Sequence, residues 1–476
     1  MNYKIIAFLT GQIMKIGGFL LCIPLIISFC LNEGQYLCYI VPALLLWLSG
    51  FFLTFKKPDE KNMRERDGFV IVAVVWLALS FCGALPFYIS GKIPNLIDAL
   101  FETISGFTAT GATLLNNVES LSKSLLFWRS FAHWIGGMGV LVFVLAILPQ
   151  GDGKSIYILR AEMTGPNVGK LVSKTRLSIR ILYSIYITLT LIEFVLLFSG
   201  GMPFFDSVLT SFSTAGTGGF FHLNLGMAAY DSVYYETVIS VFMLLFGINF
   251  NLFFFLIIRK FSECFKNEEF LAYLGIIFVS IAAVTINIFS LYKSLGEALR
   301  FASFQVISTI TTTGLATADY TSWPVFSQCI ILILMFIGGC AGSTGGGLKV
   351  YRIILLFKTA AKEIKYTLNP RLIDAIKISG KTADMPIVKA VSGYVIIYFF
   401  IIAASLLLLS LDKVDLGTAA SSVISSINNV GFGFGKIGPN GNYADFSWFS
   451  KIVLSIDMLL GRLEIFPILL LFRIKR

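Results

Sequence analysis

The chain has 476 residues, of which 56% are apolar and 13% are charged. Its mean hydropathy of +0.83 excludes an ordinary soluble enzyme or a soluble nucleic-acid-binding domain and indicates a membrane protein. The formal charge of +10 is attributed to membrane topology rather than to a nucleic-acid partner, because basic residues that flank membrane spans mark the cytoplasmic side.

Apolar runs of about 20 residues recur along the chain and predict about ten membrane-spanning helices. Lys and Arg cluster in alternate connections, so the positive-inside rule places these connections and both termini in the cytoplasm. The predicted spans lie near residues 12–31, 36–55, 69–90, 124–149, 178–200, 232–258, 270–293, 325–357, 387–411 and 447–472.

The first two spans form a predicted transmembrane hairpin over residues 1–56. A polar turn, Asn32-Glu33-Gly34-Gln35, separates them. A secretory signal peptide is the alternative interpretation of the first run, because Lys4 and Lys15 precede it. The hairpin is preferred because a second apolar run of spanning length follows the turn directly.

An internal repeat organises the rest of the chain. Each unit is predicted to contain a long helix, a short descending helix, a glycine-containing loop and a second long helix. The fold class is therefore an all-α polytopic membrane protein, with four such units around a central pore and the N-terminal hairpin added. The units cover residues 67–150, 175–260, 268–358 and 385–476.

The four loops share a serine that precedes a glycine by six residues, with Thr, Asn or glycine between them. Helix C-caps that end in glycine would explain the glycine, but not the polar residues that recur before it at membrane depth. Irregular backbone cannot face lipid, so these loops are expected to line a polar cavity. The serine and glycine pairs are Ser105 and Gly111, Ser213 and Gly219, Ser308 and Gly314, and Ser425 and Gly431.

No carboxylate occupies the repeated loop positions, and no Lys or Arg does. Neutral backbone oxygens suit a weakly hydrated monovalent cation, whereas calcium and magnesium sites usually contain carboxylates. Short helices that point their C-terminal ends at the same axis favour a cation further. The sequence therefore predicts a cation-conducting pore.

Two features beyond the loops suggest a gate. A glycine-rich run from Gly338 to Lys349 interrupts the last helix of the third repeat, and a flexible turn is the alternative interpretation. Arg462 stands in an apolar helix, where Asp457 and Glu464 do not share its face. We expect Arg462 to face the pore as a barrier to cations, with snorkelling to the inner interface as the alternative.

Arg129 and His133 begin the helix that follows the first loop. An interfacial or inter-repeat hydrogen bond is expected for them rather than catalysis. Clusters of acidic residues and histidine, which a polytopic enzyme would place in a membrane-facing loop, do not recur in the four loops. No catalytic residue and no organic cofactor is therefore predicted.

The four loops, the segment His133–Gly139, the run Gly338–Lys349 and the segment Gly461–Phe466 resemble the membrane subunit of bacterial Trk potassium uptake systems, in the Trk/Ktr/HKT superfamily. The resemblance covers essentially the whole chain, including the hairpin. It implies potassium as the transported ion, a homodimer in the inner membrane, and a cytosolic nucleotide-binding regulatory subunit of the TrkA type.

The resemblance also implies which residues coordinate potassium. In the second loop, the Gly216-Thr-Gly-Gly run allows a register one residue earlier, although the offset from Ser213 and the bulky Phe220 favour Gly219. The implied pairs are Thr110 and Gly111, Gly218 and Gly219, Thr313 and Gly314, and Val430 and Gly431.

The family pattern places a gate, with Gly345, Gly346 and Gly347, in the membrane beneath the loops, and Arg462 is assigned to the same gate. Symport coupled to sodium or protons, or transport that separates potassium from sodium less strictly, are the alternatives. The sequence does not distinguish passive conduction from coupling. The basic connection from Lys349 to Lys389 suits either a protein partner or anionic lipid.

Overall fold

The computed structural model describes residues 2–56, 65–139, 175–370 and 375–472. The described chain is almost entirely helical. The helices are α1 Tyr3–Cys30, α2 Tyr36–Thr54, α3 Glu65–Ile89, α4 Leu96–Phe107, α5 Lys123–Gly137, α6 Thr175–Ser199, α7 Phe204–Gly216, α8 Val233–Phe246, α9 Phe250–Ile257, α10 Phe261–Phe265, α11 Glu268–Ile288, α12 Leu295–Ile310, α13 Val325–Ile337, α14 Val350–Leu368, α15 Met385–Leu409, α16 Leu416–Ile427, α17 Trp448–Arg462 and α18 Phe466–Phe472.

Short elements complete the fold. Strand β1, Lys377–Ile378, pairs antiparallel with β2, Lys381–Thr382, after α14. Turns of 3₁₀-helix lie at Val118–Ser120, Gly226–Ala229, Phe289–Leu291, Tyr320–Ser322 and Gly435–Ile437.

Six unbroken helices in the described ranges are long and apolar enough to cross a membrane. They are the two hairpin helices and the first helix of each repeat: α1, α2, α3, α6, α11 and α15. Their outward faces carry exposed apolar side chains such as Phe278 and Phe400, as expected of helices that meet lipid. The all-helical polytopic fold predicted from the sequence is confirmed.

The hairpin is part of the packed fold. Helix α1 contacts α2, α3 and α5. The Tyr39 hydroxyl donates to the Ser124 Oγ, at the start of α5, over 2.8 Å, and the Glu33 carboxylate accepts from the Ser124 amide. The hairpin thereby braces the second helix of the first repeat.

The short helices α4, α7, α12 and α16 lead to the four loops and are called pore helices below. With 12 to 16 residues, they are too short to cross a bilayer. Three begin at side-chain caps, where Asn95, Ser294 and Asp415 accept from the amides of Ile97, Glu297 and Thr418. Hydrogen bonds from Thr418 to the Asp415 carboxylate hold the pKa of that group below its usual range.

The second helix of the second, third and fourth repeats is interrupted near the level of the pore-helix ends. Helices α8 and α9 meet at 93°. Residues 338–349 separate α13 from α14, and residues 463–465 separate α17 from α18. The crossings predicted over 232–258 and 447–472 are therefore each divided between two helices, and the predicted break after Ile337 is confirmed.

Parts of the predicted topology lie outside the described residues. These include residues 140–149 of the fourth predicted span and the basic connection from Lys154 to Lys174. The basic residues Lys57 to Arg64, Arg371 and the tail from Arg473 to Arg476 also lie outside.

Candidate functional site: four loops and the layer beneath them

All four pore helices end in the same backbone motif. The amide of the residue before each loop glycine donates to the carbonyl of the serine five residues earlier, and the preceding amide closes a shorter bond, as in a Schellman motif. This motif fixes the spacing of serine and glycine seen in the sequence. The longer bonds are Thr110 to Ser105 at 2.9 Å, Gly218 to Ser213 at 3.0 Å, Thr313 to Ser308 at 2.8 Å and Val430 to Ser425 at 2.9 Å.

The serine hydroxyls do not share a role. The Ser308 hydroxyl donates to the Leu315 carbonyl over 2.6 Å. Those of Ser105 and Ser213 find no hydrogen-bond partner among the described residues. The repeated feature is therefore the hydrogen bond to the serine carbonyl. The serine side chains share their small size but not a hydrogen-bonding role.

Two residues in each loop adopt left-handed backbone conformations. The first is a non-glycine residue at the Schellman position, with φ between 51° and 56° in Ala109, Thr217, Thr312 and Asn429. The second is the loop glycine, with φ of 84° in Gly111, 75° in Gly219, 80° in Gly314 and 92° in Gly431. Glycine adopts this second conformation without the steric penalty of a side chain.

The four glycines close a ring. A Cβ atom on each would overlap the carbonyl oxygen that precedes the glycine of the next loop. The Cβ of Gly111 would overlap the carbonyl of Gly218, that of Gly219 the carbonyl of Thr313, that of Gly314 the carbonyl of Val430, and that of Gly431 the carbonyl of Thr110. The eight predicted coordinating residues therefore lie together, and the second loop follows the register that ends at Gly219.

A cavity of about 290 Å³ lies directly against this ring. All four loop glycines line it, together with the segments that follow each glycine. No cluster of three His, Cys, Asp or Glu side chains that could hold a metal ion occurs in the described ranges. The ring thus offers backbone oxygens and neutral side chains, while the charged residues Arg129 and Asp319 also line the cavity.

The polar side chains of the loops differ from one repeat to the next. Thr108 and Thr110 share a hydroxyl contact of 2.7 Å, and Thr311 and Thr313 share one of 2.8 Å. In the fourth loop, Asn429 donates instead to the Thr110 hydroxyl over 2.9 Å. These groups are buried and support the loops from behind, while the backbone forms the common surface.

Helix α5 packs tightly against the second loop. The His133 Nε2 accepts from the Phe220 amide at 3.2 Å, and its Nδ1 lies 2.7 Å from the Gly106 carbonyl. A Cβ on Gly216 or Gly218 would overlap His133. The additional glycines of the second loop therefore make room for α5, and the predicted inter-repeat hydrogen bond of His133 is confirmed.

The glycine-rich run lies immediately beneath the third and fourth loops. The Gly346 amide donates to the Thr312 hydroxyl over 2.6 Å, and a Cβ on Gly346 would overlap the Asn428 carbonyl. Gly345 approaches the Thr311 carbonyl. Gly347 differs from its two neighbours, because it packs against Gly338 at the end of α13.

Arg462 joins this run to the first repeat. One guanidinium nitrogen donates to the Thr344 carbonyl at 2.8 Å. The other donates to the carbonyls of Gly136, at 2.6 Å, and Gly137, at the C-terminal end of α5. A helix C-terminus carries partial negative charge and suits this cation. The guanidinium therefore connects the glycine-rich run to the C-terminal end of α5.

Two further side chains, Lys349 and Glu269, fix the run, and sequence reasoning missed their contacts. The buried Lys349 ammonium donates to the Gly345 carbonyl. Glu269, on α11, accepts from the amides of Ala341 at 2.6 Å and Tyr351 at 3.2 Å, which lie on either side of the glycines. The contacts of Glu269 join residues more than 70 positions apart in the sequence, and that of Lys349 depends on how the run folds. No local sequence pattern therefore predicts them.

Glu464 forms an ion pair with Arg352 rather than with Arg462. Its carboxylate lies 2.7 Å from a guanidinium nitrogen of Arg352. This pairing agrees with the expectation that Glu464 does not share the face of Arg462.

Comparison with known proteins gives one consistent result. Residues 43–476 match the family model described as TrkH, cation transport protein. The potassium uptake protein TrkH of Salmonella typhimurium is 35% identical, with 99% of each chain covered. The TrkG protein of Escherichia coli is 30% identical, with 99% of this chain and 98% of TrkG covered.

A solved structure is similar over the same length. The crystal structure of the potassium transporter TrkH from Vibrio parahaemolyticus superposes with a TM-score of 0.88 at 32% identity. The match covers 99% of this chain and 98% of that one.

Proposed function

The chain belongs to the TrkH family of cation transport proteins, and on this premise we propose that it takes up potassium ions across the inner membrane through its four loops. The closed ring carries the proposal, because four loops with one backbone geometry surround a shared centre next to a cavity. The curated relatives are named as potassium uptake proteins of Trk systems.

In this proposal, carbonyl oxygens of the paired loop residues replace the hydration shell of the ion. The pairs are Thr110 and Gly111, Gly218 and Gly219, Thr313 and Gly314, and Val430 and Gly431. The Schellman bonds support it by holding the backbone of every loop in the same shape. The C-terminal ends of the pore helices add partial negative charge near the ion.

The glycine-rich run is the proposed gate. Gly345 and Gly346 lie against the underside of the third and fourth loops, and Gly347 packs on the end of α13. The Arg462 guanidinium and the Lys349 ammonium add positive charge at this level, which opposes the passage of a cation. Transport then requires the run and Arg462 to move.

We further propose that the protein works as a homodimer with a cytosolic nucleotide-binding subunit of the TrkA type. Both termini and the basic connections lie in the cytoplasm in this arrangement. Helix α14 follows the glycine-rich run directly and forms the first part of the basic connection, so movement of a protein bound there is transmitted to the run. Anionic lipid is a second ligand that suits the same basic residues.

Ion flux into liposomes tests the filter. Purified protein is assayed with potassium, rubidium, sodium and lithium gradients, alone and with the regulatory subunit. Gly314→Ser is compared with Gly393→Ser, because a side chain at Gly314 meets the Val430 carbonyl whereas one at Gly393 meets nothing within 4 Å. We expect selective potassium and rubidium flux that Gly314→Ser makes permeable to sodium and Gly393→Ser leaves unchanged.

Other outcomes discriminate among the alternatives. A failure to move any monovalent cation under both conditions would mean that the ring is scaffold rather than pore. A fixed ratio of protons or sodium ions carried with each potassium ion would replace passive conduction with symport.

A further inference from the structure

A buried ion pair lies against the first two loops, and its Arg129 also lines the cavity next to the ring. The Nε atom of Arg129, on α5, is 2.6 Å from Oε1 of Glu102, on pore helix α4. Their side chains are 3% and 0% exposed. Charges at this depth are stable only when their remaining hydrogen-bonding groups are also satisfied. The partners that satisfy them show what the pair holds in place.

Glu102 holds the first loop. Its Oε2 accepts from the Leu114 amide at 3.0 Å, and the Thr113 hydroxyl donates to Oε1 at 3.0 Å. Thr113 and Leu114 follow Gly111 by two and three residues. The carboxylate therefore fixes the chain where it leaves the ring.

Arg129 holds the second loop at the equivalent place. Its Nη1 donates to the Phe221 carbonyl over 2.9 Å. Its guanidinium carbon also lies 3.5 Å from the centre of the Phe220 ring, within the range of a cation–π contact. Phe220 and Phe221 directly follow Gly219. One guanidinium thus connects the carboxylate of the first repeat to the backbone of the second.

Neutral groups hold the corresponding carbonyl in two other loops. The Tyr443 amide donates to the Thr113 carbonyl at 2.9 Å. The Tyr320 hydroxyl donates to the Gly433 carbonyl at 2.6 Å. Each donor comes from the repeat before the loop it contacts. Between the first and second loops, the donor to the corresponding carbonyl, that of Phe221, is the charged side chain of Arg129.

The second loop needs this external restraint more than the first and third loops do. Three of its four residues from 216 to 219 are glycine, so it cannot form the pair of threonine hydroxyls that stiffens the first and third loops. Its Phe220 amide and ring are held instead by His133 and Arg129 of α5.

We propose that Arg129 and Glu102 are specificity-determining positioning residues, which hold the first and second loops at the separation that favours potassium over sodium. The inference rests on the proposed filter. Neither side chain is among the eight residues proposed to coordinate the ion. Loss of the restraint allows the second loop to move inwards, and oxygens that can approach more closely stabilise a smaller cation.

Arg129→Lys is the principal test, because Lys keeps the charge beside Glu102 but lacks the planar fork that reaches the Phe221 carbonyl as well. The ratio of rubidium to sodium flux and the melting temperature are measured on the full chain in liposomes and detergent. We expect the ratio to fall by about tenfold, the equivalent of one charge-assisted hydrogen bond. Thr113→Val removes one donor to Glu102 without changing any charge, and a smaller fall is expected.

A second, less buried ion pair supplies the control. Arg300, on α12, binds Glu236, on α8, through two contacts of 2.7 Å, and also Asp231, without contacting a loop glycine or the two residues after it. Arg300→Lys is expected to lower the melting temperature while leaving the flux ratio unchanged.

The outcomes separate this inference from the filter itself. A ratio that Gly314→Ser lowers, but that both Arg129→Lys and Thr113→Val leave at the wild-type value, would overturn the inference alone. An equal fall with Arg300→Lys would also overturn it, since any loss of stability would then have the same effect. If Gly314→Ser leaves the ratio unchanged, the filter proposal fails and the inference fails with it.

Discussion

The ring is symmetric, whereas the layer beneath it, which contains the glycine-rich run and Arg462, is not. In the ring, four loops of different sequence share one backbone geometry, with a Schellman motif and a left-handed glycine in each. In the layer beneath, the glycine-rich run comes from the third repeat and Arg462 from the fourth. The same helix is interrupted in the second, third and fourth repeats, yet the interruption is filled differently each time.

The difference follows from what each layer is proposed to do. An ion at the centre of a ring is held equally from four sides, so the oxygens must be placed alike. A barrier needs only one part that can move and a contact that holds it. The repeats can therefore differ below the ring without disturbing the geometry within it.

Alanine substitutions of loop glycines in different repeats should have equal effects if the ring is symmetric. Gly111→Ala and Gly431→Ala each place a methyl group against a neighbouring carbonyl and force a left-handed conformation that costs about 1–2 kcal/mol. We expect both to reduce the preference for rubidium over sodium by about tenfold or more in liposome flux. This is the largest change in ion preference predicted.

Gly275→Ala, in a helix where the methyl group meets nothing within 4 Å, is the control. Strongly unequal effects of Gly111→Ala and Gly431→Ala would show that the loops do not contribute equally.

Arg462→Ala tests the asymmetric layer. It removes charge-assisted hydrogen bonds to the carbonyls of Thr344, Gly136 and Gly137, each worth about 1.5–3 kcal/mol. We expect the open probability in single-channel recordings to rise by about tenfold or more, with the rubidium to sodium ratio unchanged. Arg462→Lys keeps the positive charge but lacks the planar guanidinium, so its open probability should lie between those of the wild type and Arg462→Ala. Unchanged conductance and open probability in Arg462→Ala would remove this residue from the gate.

The smallest effect is predicted where the two layers touch. Thr312→Val removes the hydroxyl that accepts from the Gly346 amide and should weaken the closed state by about 1 kcal/mol, a severalfold rise in open probability. Thr309→Val is the matched control, because its hydroxyl donates only to the Gln305 carbonyl one turn earlier in α12. Equal behaviour of the two variants would argue against a link between ring and gate at Thr312.

The ring could be predicted from the sequence because the contacts that define it are local. A Schellman motif spans six residues, so its spacing is visible wherever a serine and a glycine recur. The left-handed conformation of Gly111 and its three counterparts likewise reflects a preference of the residue itself. The alignment of Gly219 with the other glycines agrees with the offset from Ser213.

The layer beneath could be predicted only in part, because its contacts are distant in sequence. The break after Ile337 carries many glycines, whereas the break after Phe246 carries Gly247 alone. That second break is stabilised by the run, whose Cys340 amide donates to the Gly247 carbonyl at 3.0 Å. In the fourth repeat, consecutive left-handed residues Glu464 and Ile465 have no local signal at all.

Arg129 shows the same limit. An inter-repeat hydrogen bond was predicted for it and is confirmed by its contact with Phe221. Its partner Glu102, 27 residues earlier, could not be identified from spacing, because the two lie on separate helices.

Because the four different loops belong to one chain, a single mutation alters only one side of the ring. In a channel made of four identical subunits, one altered codon changes all four sides of the pore together. Here each of Gly111, Gly219, Gly314 and Gly431 is encoded separately, so one altered codon changes a quarter of the ring and leaves three original sides. Ion preference can therefore be adjusted in quarter steps, by evolution or by an experimenter, without passing through a fully altered pore.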